Sequence, residues 1–224
     1  MVKEIKSPKD EFEAFLVRGS RGTKCEGYPI IEEWMVPSEP PRSIIPLDRF
    51  REYSDKEISE SYICTYCNDA TIKSVRKNPK QYLPLFKRSA GITGFDYSVF
   101  PDMPPFKQKE LLGLNLALDY YYGNNGVKII PNIRWGSTKF AEDFLEAIPD
   151  HCYLSLGTHG FIKSNAEKDT WSNFLKYLLE RKNPKGLIVY GPAPDSIFLV
   201  AKQKGVEVIS YEPYFSKRMR RIHQ

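Results

Sequence analysis

The sequence contains few cysteines and histidines, the residues that build zinc centres, and it has no long apolar run. Among 224 residues there are only 4 cysteines and 3 histidines. No apolar stretch approaches the roughly 20 residues that a membrane helix needs. The first 15 residues contain charges throughout, which is unlike a secretory signal. We therefore expect a cytoplasmic protein with reduced thiols and no membrane partner.

The chain has little net positive charge outside its last residues. The net charge is +5, and four cations stand in the tail "SKRMRRIHQ": Lys217, Arg218, Arg220 and Arg221. Without these four charges the net charge of the chain falls from +5 to +1. The tail, residues 215–224, is either a contact for phosphates and acidic partners or a solvated terminus.

Short apolar runs alternate with longer helical patterns from about residue 60. The segments "YICTYC" and "GLIVYG" are typical of strands, and "WSNFLKYLLER" shows helical spacing. This alternation predicts an α/β fold of about six βα units with a mainly parallel sheet. We favour an open doubly wound sheet, and an incomplete barrel is the alternative. The predicted strands are 62–67, 91–98, 127–135, 152–157, 186–191 and 206–212, and the predicted helices are 70–88, 104–122, 138–147, 166–182 and 194–204.

The first 45 residues differ from the rest of the chain. Glycine and proline interrupt every periodic run in "RGSRGTKCEG" and "MVPSEPPRS". This composition predicts an irregular N-terminal arm over residues 1–45, with a short helix at 9–17, packed along an α/β domain over residues 46–214.

Polar side chains close or follow the predicted strands, at the edge where parallel α/β folds bind their ligands. Asp69 and Asp96 are candidates for acid–base catalysis, and so is His159 because a histidine titrates near neutral pH. Asp69, Asp96 and Glu212 are also candidate ligands of Mg²⁺ or Mn²⁺, which prefer oxygen donors. The residues predicted to bind the substrate, an anionic group above all, are Arg134, Trp135, Ser137, Thr158 and Tyr190. The alternative interpretation is that Asp, Ser and Thr after strands are ordinary helix N-caps, that Arg134 stacks on Trp135, and that His159 is a solvated loop residue.

Cys64 and Cys67 have the spacing of half a zinc site. A complete site usually needs a second close pair, whereas Cys25 and Cys152 stand alone. On a strand, an odd separation would also direct Cys64 and Cys67 to opposite faces. We therefore disfavour zinc and interpret both thiols as packing groups in a strand that leads to Asp69.

Several motifs resemble an uncharacterised family found in phages, mobile elements and Firmicutes-type genomes, known as domain of unknown function 4417. They are "NDA" after an aromatic strand, "NPKQY", "FDYSVFPDMP", "VKIIPNIRWGS" and "LIVYG". The resemblance implies that Asp69 and Asp96 matter to the family, and it implies no activity. The family pattern has an acidic pair where this chain has Asn68 and Asp69.

Three functions are compatible with these features. The first is an enzyme that acts on a phosphorylated small molecule, nucleotide or nucleic acid through the acidic cleft. The second is a non-catalytic nucleic-acid-binding accessory protein of a phage or mobile element, in which the basic tail contacts phosphates. The third is a partner-binding protein with a vestigial cleft. We favour the enzyme because carboxylates, an arginine and a histidine converge on one predicted edge.

Overall fold

The computed structural model describes residues 13–134, 136–158 and 165–222. Its strands are β1 Ile44–Pro46, β2 Tyr62–Cys64, β3 Gly91–Thr93, β4 Ile129–Ile130, β5 Tyr153–Gly157, β6 Gly186–Tyr190 and β7 Glu207–Tyr211. Its α-helices are α1 Asp55–Glu60, α2 Asp69–Lys77, α3 Pro79–Arg88, α4 Pro105–Asn124, α5 Ala141–Glu146, α6 Asn165–Lys182, α7 Asp195–Gln203 and α8 Tyr214–Ile222. Short 3₁₀ helices lie at Ala14–Val17, Glu33–Met35, Leu47–Glu52 and Thr138–Phe140.

All strand pairs in the described part of the chain are parallel and follow chain order. One sheet has the order β1-β2-β3-β4 and the other β5-β6-β7. The two sheets meet where the Ile133 amide donates to Ser155 O at 2.9 Å and the Ser155 amide donates to Pro131 O at 2.8 Å. The α/β class and the parallel sheet are confirmed. A doubly wound sheet reverses its strand order, so this sequential order corresponds to the incomplete barrel instead.

Side chains from both sheets meet on the inner side of this curved arrangement. The inner cluster contains Ile44, Tyr62, Cys64, Ile130, Ile188 and Tyr190. Residues at the alternate strand positions, such as Ile63 and Leu187, pack instead into the two clusters that contain the helices. Between β7 and β1 the Tyr211 hydroxyl donates to Pro41 O, but no strand pairing closes the ring within the described residues.

Several predicted boundaries are wrong for local reasons. The helix predicted at 70–88 is interrupted at Asn78, which leaves the helical region because Pro79 follows it and begins α3. Strands β2 and β3 end earlier than predicted because a side chain takes the place of a backbone hydrogen-bond partner. The Thr65 amide donates to Thr93 Oγ1 at 3.2 Å. The N-terminal arm is less irregular than predicted, since β1 begins at Ile44 and pairs with β2. Of the helix predicted at 9–17, the described part is the 3₁₀ turn Ala14–Val17.

The described helices include none with the apolar length that a bilayer crossing requires. The longest apolar helix, α4, instead lies within the fold. Leu112 and Leu116 on α4 belong to one core cluster, while Leu118 and Tyr122 belong to another. Helix α4 thus connects the two clusters that surround the sheets.

Candidate functional site

The loops after β2, β3 and β4 meet at the carboxyl edge of the four-stranded sheet. The Thr65 hydroxyl donates to Gly94 O at 2.6 Å, which joins the first loop to the second. The Asn132 side-chain amide donates to Phe95 O at 3.2 Å, which joins the second loop to the third. Residues that are 29 to 37 positions apart in the chain are therefore neighbours at this edge.

Asp96 and Arg134 form an ion pair at the centre of this edge. Arg134 Nη1 lies 3.0 and 2.9 Å from the two carboxylate oxygens of Asp96, and Asn132 Nδ2 donates to the first of them at 2.8 Å. Only 11% of each charged side chain is exposed. Burial raises the pKa of Asp96 to about 6, although Arg134 and Asn132 oppose this rise. The negative charge of Asp69 raises the pKa of Asp96 further.

The loop that holds Asp96 is fixed by helix α4 through two side chains. The Phe95 amide donates to Asp119 Oδ1 at 2.9 Å, and the Tyr97 amide donates to Asn115 Oδ1 at 2.8 Å. Asn115 and Asp119 are one helical turn apart and both are buried. The spacing of these two polar residues in the otherwise apolar run "GLNLALDY" is a sequence signal for this role, but neither residue was predicted to support the site.

Tyr66 and Asn132 belong to the same site but were not predicted. Tyr66 Oη donates to Asn132 Oδ1 at 2.9 Å, and the Tyr66 ring stacks on Tyr190 with centroids 5.6 Å apart. Burial raises the pKa of Tyr66 well above its usual value, so its hydroxyl is protonated and serves as a donor. Both residues stand two positions beyond the end of a strand, which is the signal that could have identified them.

Asp69 lies beside this centre and not in an isolated cap. The cap of α2 is Asn68, whose side chain accepts from the Ala70 amide at 2.8 Å. Asp69 Oδ1 accepts from both the amide and the hydroxyl of Ser98, each at 3.2 Å. Asp69 therefore contacts Ser98 of the β3–α4 loop, which also carries Asp96, so both carboxylates lie on the same edge of the sheet.

The other predicted site residues occupy varied positions. The Thr158 amide donates to Tyr190 O at 3.2 Å, and the Thr158 hydroxyl donates to Pro192 O at 2.7 Å. The Ser137 amide donates to Gln108 Oε1 at 2.9 Å, and Glu212 pairs with Arg220. Trp135 and His159 lie outside the described residues.

The acidic and thiol groups do not assemble into a large metal-binding cluster in the part of the chain that the structure describes. No three His, Cys, Asp or Glu side chains there come together as a metal site. Cys64 is in the inner cluster, whereas Cys67 packs against the cluster that contains Ile63 and Ile72. Burial raises the pKa of Cys64 well above its usual value and the pKa of Cys67 to about 12, so both thiols are protonated at neutral pH.

Comparison with known proteins places this fold in a family. A family model described as "Domain of unknown function (DUF4417)" matches residues 29–212. The chain is 20% identical to the Gene 1 protein of Mycobacterium phage D29 over 202 residues, which are 87% of this chain and 73% of that protein. It is also 20% identical to the Gene 1 protein of Mycobacterium phage L5 over 145 residues, 65% of this chain and 62% of that protein. No solved structure matches. Because the family model covers most of the chain, including Asp69, Asp96 and Arg134, the chain belongs to the DUF4417 family.

Proposed function

We propose that the chain is an enzyme in which Asp96 exchanges a proton with a phosphate-bearing substrate at the carboxyl edge of the sheet. The observation that supports this proposal is the largely buried Asp96 carboxyl, whose pKa of about 6 lies close to neutral pH. An acid–base catalyst works best when its pKa is near the pH at which it operates. An exposed surface aspartate, with a pKa of about 4, is fully ionised there and cannot donate a proton.

We expect Arg134 to bind the negatively charged group of the substrate. In the described structure its guanidinium lowers the pKa of Asp96 by contacting both carboxylate oxygens. An anion bound to the same guanidinium would share that positive charge and add its own negative charge beside Asp96. The pKa of Asp96 would then rise, so anion binding and protonation of Asp96 would favour each other.

Asp69 has a supporting role in this proposal. Its carboxylate accepts two hydrogen bonds from Ser98, and its charge raises the pKa of Asp96. A Mg²⁺ or Mn²⁺ ion held by Asp69 and Asp96 stays a prediction. We prefer proton transfer because Arg134 already neutralises Asp96, and a cation would have to compete with that ion pair.

The first test is the titration of Asp96, which needs no substrate. Carboxyl ¹³C resonances followed from pH 3 to 9, with Asp96→Asn to assign the signal, should show a midpoint near 6. Inorganic phosphate should raise this midpoint in the wild type. The signal of the exposed Asp195, which pairs with Lys202, serves as an internal reference. A midpoint near 4 for Asp96 would contradict the proposal.

The second test is activity on generic phosphate esters and diesters. Asp96→Asn should reduce any turnover by about 10²- to 10⁴-fold, the usual contribution of a general acid or base, while Asp195→Asn should not. Equal activity of Asp96→Asn and wild type would show that Asp96 takes no part in the reaction. Thermal stabilisation by Mg²⁺ that both Asp69→Asn and Asp96→Asn abolish would identify a metal site instead.

A further inference from the structure

Helix α8 is attached to the same edge of the fold as the candidate site. The Tyr214 amide donates to Tyr190 Oη at 3.0 Å, and the Tyr214 hydroxyl bonds to Glu52 on the 3₁₀ helix Leu47–Glu52. The guanidinium carbon of Arg49 lies 5.7 Å from the ring centroids of both Tyr214 and Phe215. The first turn of α8 is thus anchored to the fold, and every residue from Lys217 to Arg220 is exposed.

Arg49 on the 3₁₀ helix Leu47–Glu52 contacts the start of α8, and Arg51 is an exposed cation on the same 3₁₀ helix. We define the α8 surface as Arg49, Arg51, Phe215, Lys217, Arg218 and Arg220. Arg49 pairs with Asp48 and Glu52, and Arg220 pairs with Glu212. Lys217, Arg218 and Arg51 have no carboxylate partner among the described residues. The surface thus retains positive charge that is not neutralised within the fold.

The α8 surface also presents aromatic rings beside these cations. Phe215 is 55% exposed, and Arg51 lies over the ring of Phe50 at 5.7 Å. Cations interleaved with accessible rings are typical of surfaces that bind single-stranded nucleic acid, because phosphates contact the cations and bases stack on the rings. A helix that lies on a lipid surface buries an apolar face in the membrane interface and keeps its cations on the opposite face. The exposed apolar side chains described on α8 are only Phe215 and Met219.

We propose that the α8 surface binds single-stranded nucleic acid and directs it toward Asp96. Tyr190 bonds to Tyr214 on one side and stacks on Tyr66 on the other, and Tyr66 bonds to Asn132, which donates to Asp96. These contacts connect the start of α8 to the Asp96 site through the fold. Binding itself is independent of catalysis, whereas the identification of nucleic acid as the substrate rests on the proposed function.

The proposal is tested by fluorescence anisotropy with a labelled single-stranded DNA or RNA of about 12 nucleotides. The double variant Lys217→Gln/Arg218→Gln should bind more weakly, and the slope of log affinity against log salt should decrease in magnitude by about 1.4, because each lost phosphate contact contributes about 0.7. Phe215→Leu should weaken binding by about fivefold or more with an unchanged slope, since stacking does not release counterions.

The matched control is Lys77→Gln/Lys80→Gln, which removes two exposed cations from α2 and α3. It should leave both the affinity and the slope unchanged, and circular dichroism should verify that every variant is folded. An equal loss in this control, or stronger binding to duplex, would overturn the proposal. Binding to anionic phosphatidylserine vesicles without oligonucleotide binding would also overturn it, in favour of a membrane surface.

The two proposals fail separately. If oligonucleotides bind through the α8 surface while Asp96 titrates near 4, the binding surface stands and the catalytic role is lost. If Asp96 titrates near 6 while no oligonucleotide binds, the catalytic role stands and nucleic acid is excluded as the substrate.

Discussion

Two opposing effects determine the pKa of Asp96. Burial favours the neutral carboxyl, whereas the hydrogen-bonded guanidinium of Arg134 favours the charged form. The first effect is the larger, so the pKa rises to about 6. Neighbouring residues are adapted to this arrangement. A Cβ atom at Gly157 would lie 3.0 Å from the ring of Tyr66, so glycine at this position lets Tyr66 reach Asn132.

The raised pKa of Asp96 predicts a specific pH dependence of stability. Between about pH 4 and pH 6 the folded state binds the Asp96 proton more tightly than the unfolded state does. The contribution of Asp96 to the free energy of unfolding is therefore greatest below pH 4 and falls as pH rises through 6. The difference in unfolding free energy between wild type and Asp96→Asn should be about 2 to 3 kcal/mol more favourable to wild type at pH 4 than at pH 8.

Urea unfolding of both proteins at several pH values measures this difference. The comparison cancels the titration of all other carboxyl groups, because both proteins contain them. A difference that does not vary between pH 4 and pH 8, or that changes in the opposite direction, would show that burial does not control Asp96.

At the scale of elements, helix α4 determines where the Asp96 loop lies. Asn115 and Asp119 accept from the Tyr97 and Phe95 amides, so two successive turns of one helix hold the two residues that flank Asp96. The loop has no regular secondary structure between Gly94 and Phe100. Its backbone groups depend on these side chains because no strand pairs with it.

We predict that Asn115→Leu, which is similar in size, lowers the free energy of unfolding by about 1 to 3 kcal/mol. The substitution leaves the buried Tyr97 amide without its acceptor and retains the apolar volume. Denaturant unfolding measures the loss, and Asn124→Leu at the exposed end of the same helix is the control, with an expected change within about 0.5 kcal/mol. An unperturbed Asp96 resonance in Asn115→Leu would contradict the role of α4 in placing the loop.

At the scale of the whole molecule, the parallel strands follow chain order and the two sheets form one structural unit. The inner cluster contains Ile44 from the first sheet and Ile188 from the second. A larger cluster also extends from Tyr28 in the N-terminal arm to Val206 before β7. Because side chains from both sheets pack into the same cluster, we expect the described part of the chain to unfold cooperatively.

Ile188→Ala should test this expectation at the centre of β6. Ile188 is fully buried, so the substitution should lower the free energy of unfolding by about 2 to 5 kcal/mol. Circular dichroism and tryptophan fluorescence should report coincident midpoints in the wild type and in the variant. Leu199→Ala, at a position that is 50% exposed, should change stability by less than about 0.5 kcal/mol. Separate transitions for the two probes would show that the sheets unfold independently.

Local patterns in the sequence determined the class of fold and the edge of the sheet at which polar residues lie. Strands of apolar and β-branched residues alternate with helical periods, and this alternation depends only on neighbouring residues. The predicted segments at 186–191 and 206–212 each contain the observed strand, at Gly186–Tyr190 and Glu207–Tyr211. The same patterns placed Asp69, Asp96 and Arg134 at or beyond the ends of strands. Their functional roles stay predictions.

Tertiary structure alone decided which of these side chains meet. Strand order, and hence the incomplete barrel, depends on pairings between segments that are distant in the chain, which no local period encodes. The pKa of Asp96 likewise depends on Arg134, 38 residues away, and on burial that arises only when three loops come together. Tyr66 and Asn132 became site residues for the same reason, because a hydrogen bond is a property of two positions in space and neither sequence position specifies its partner.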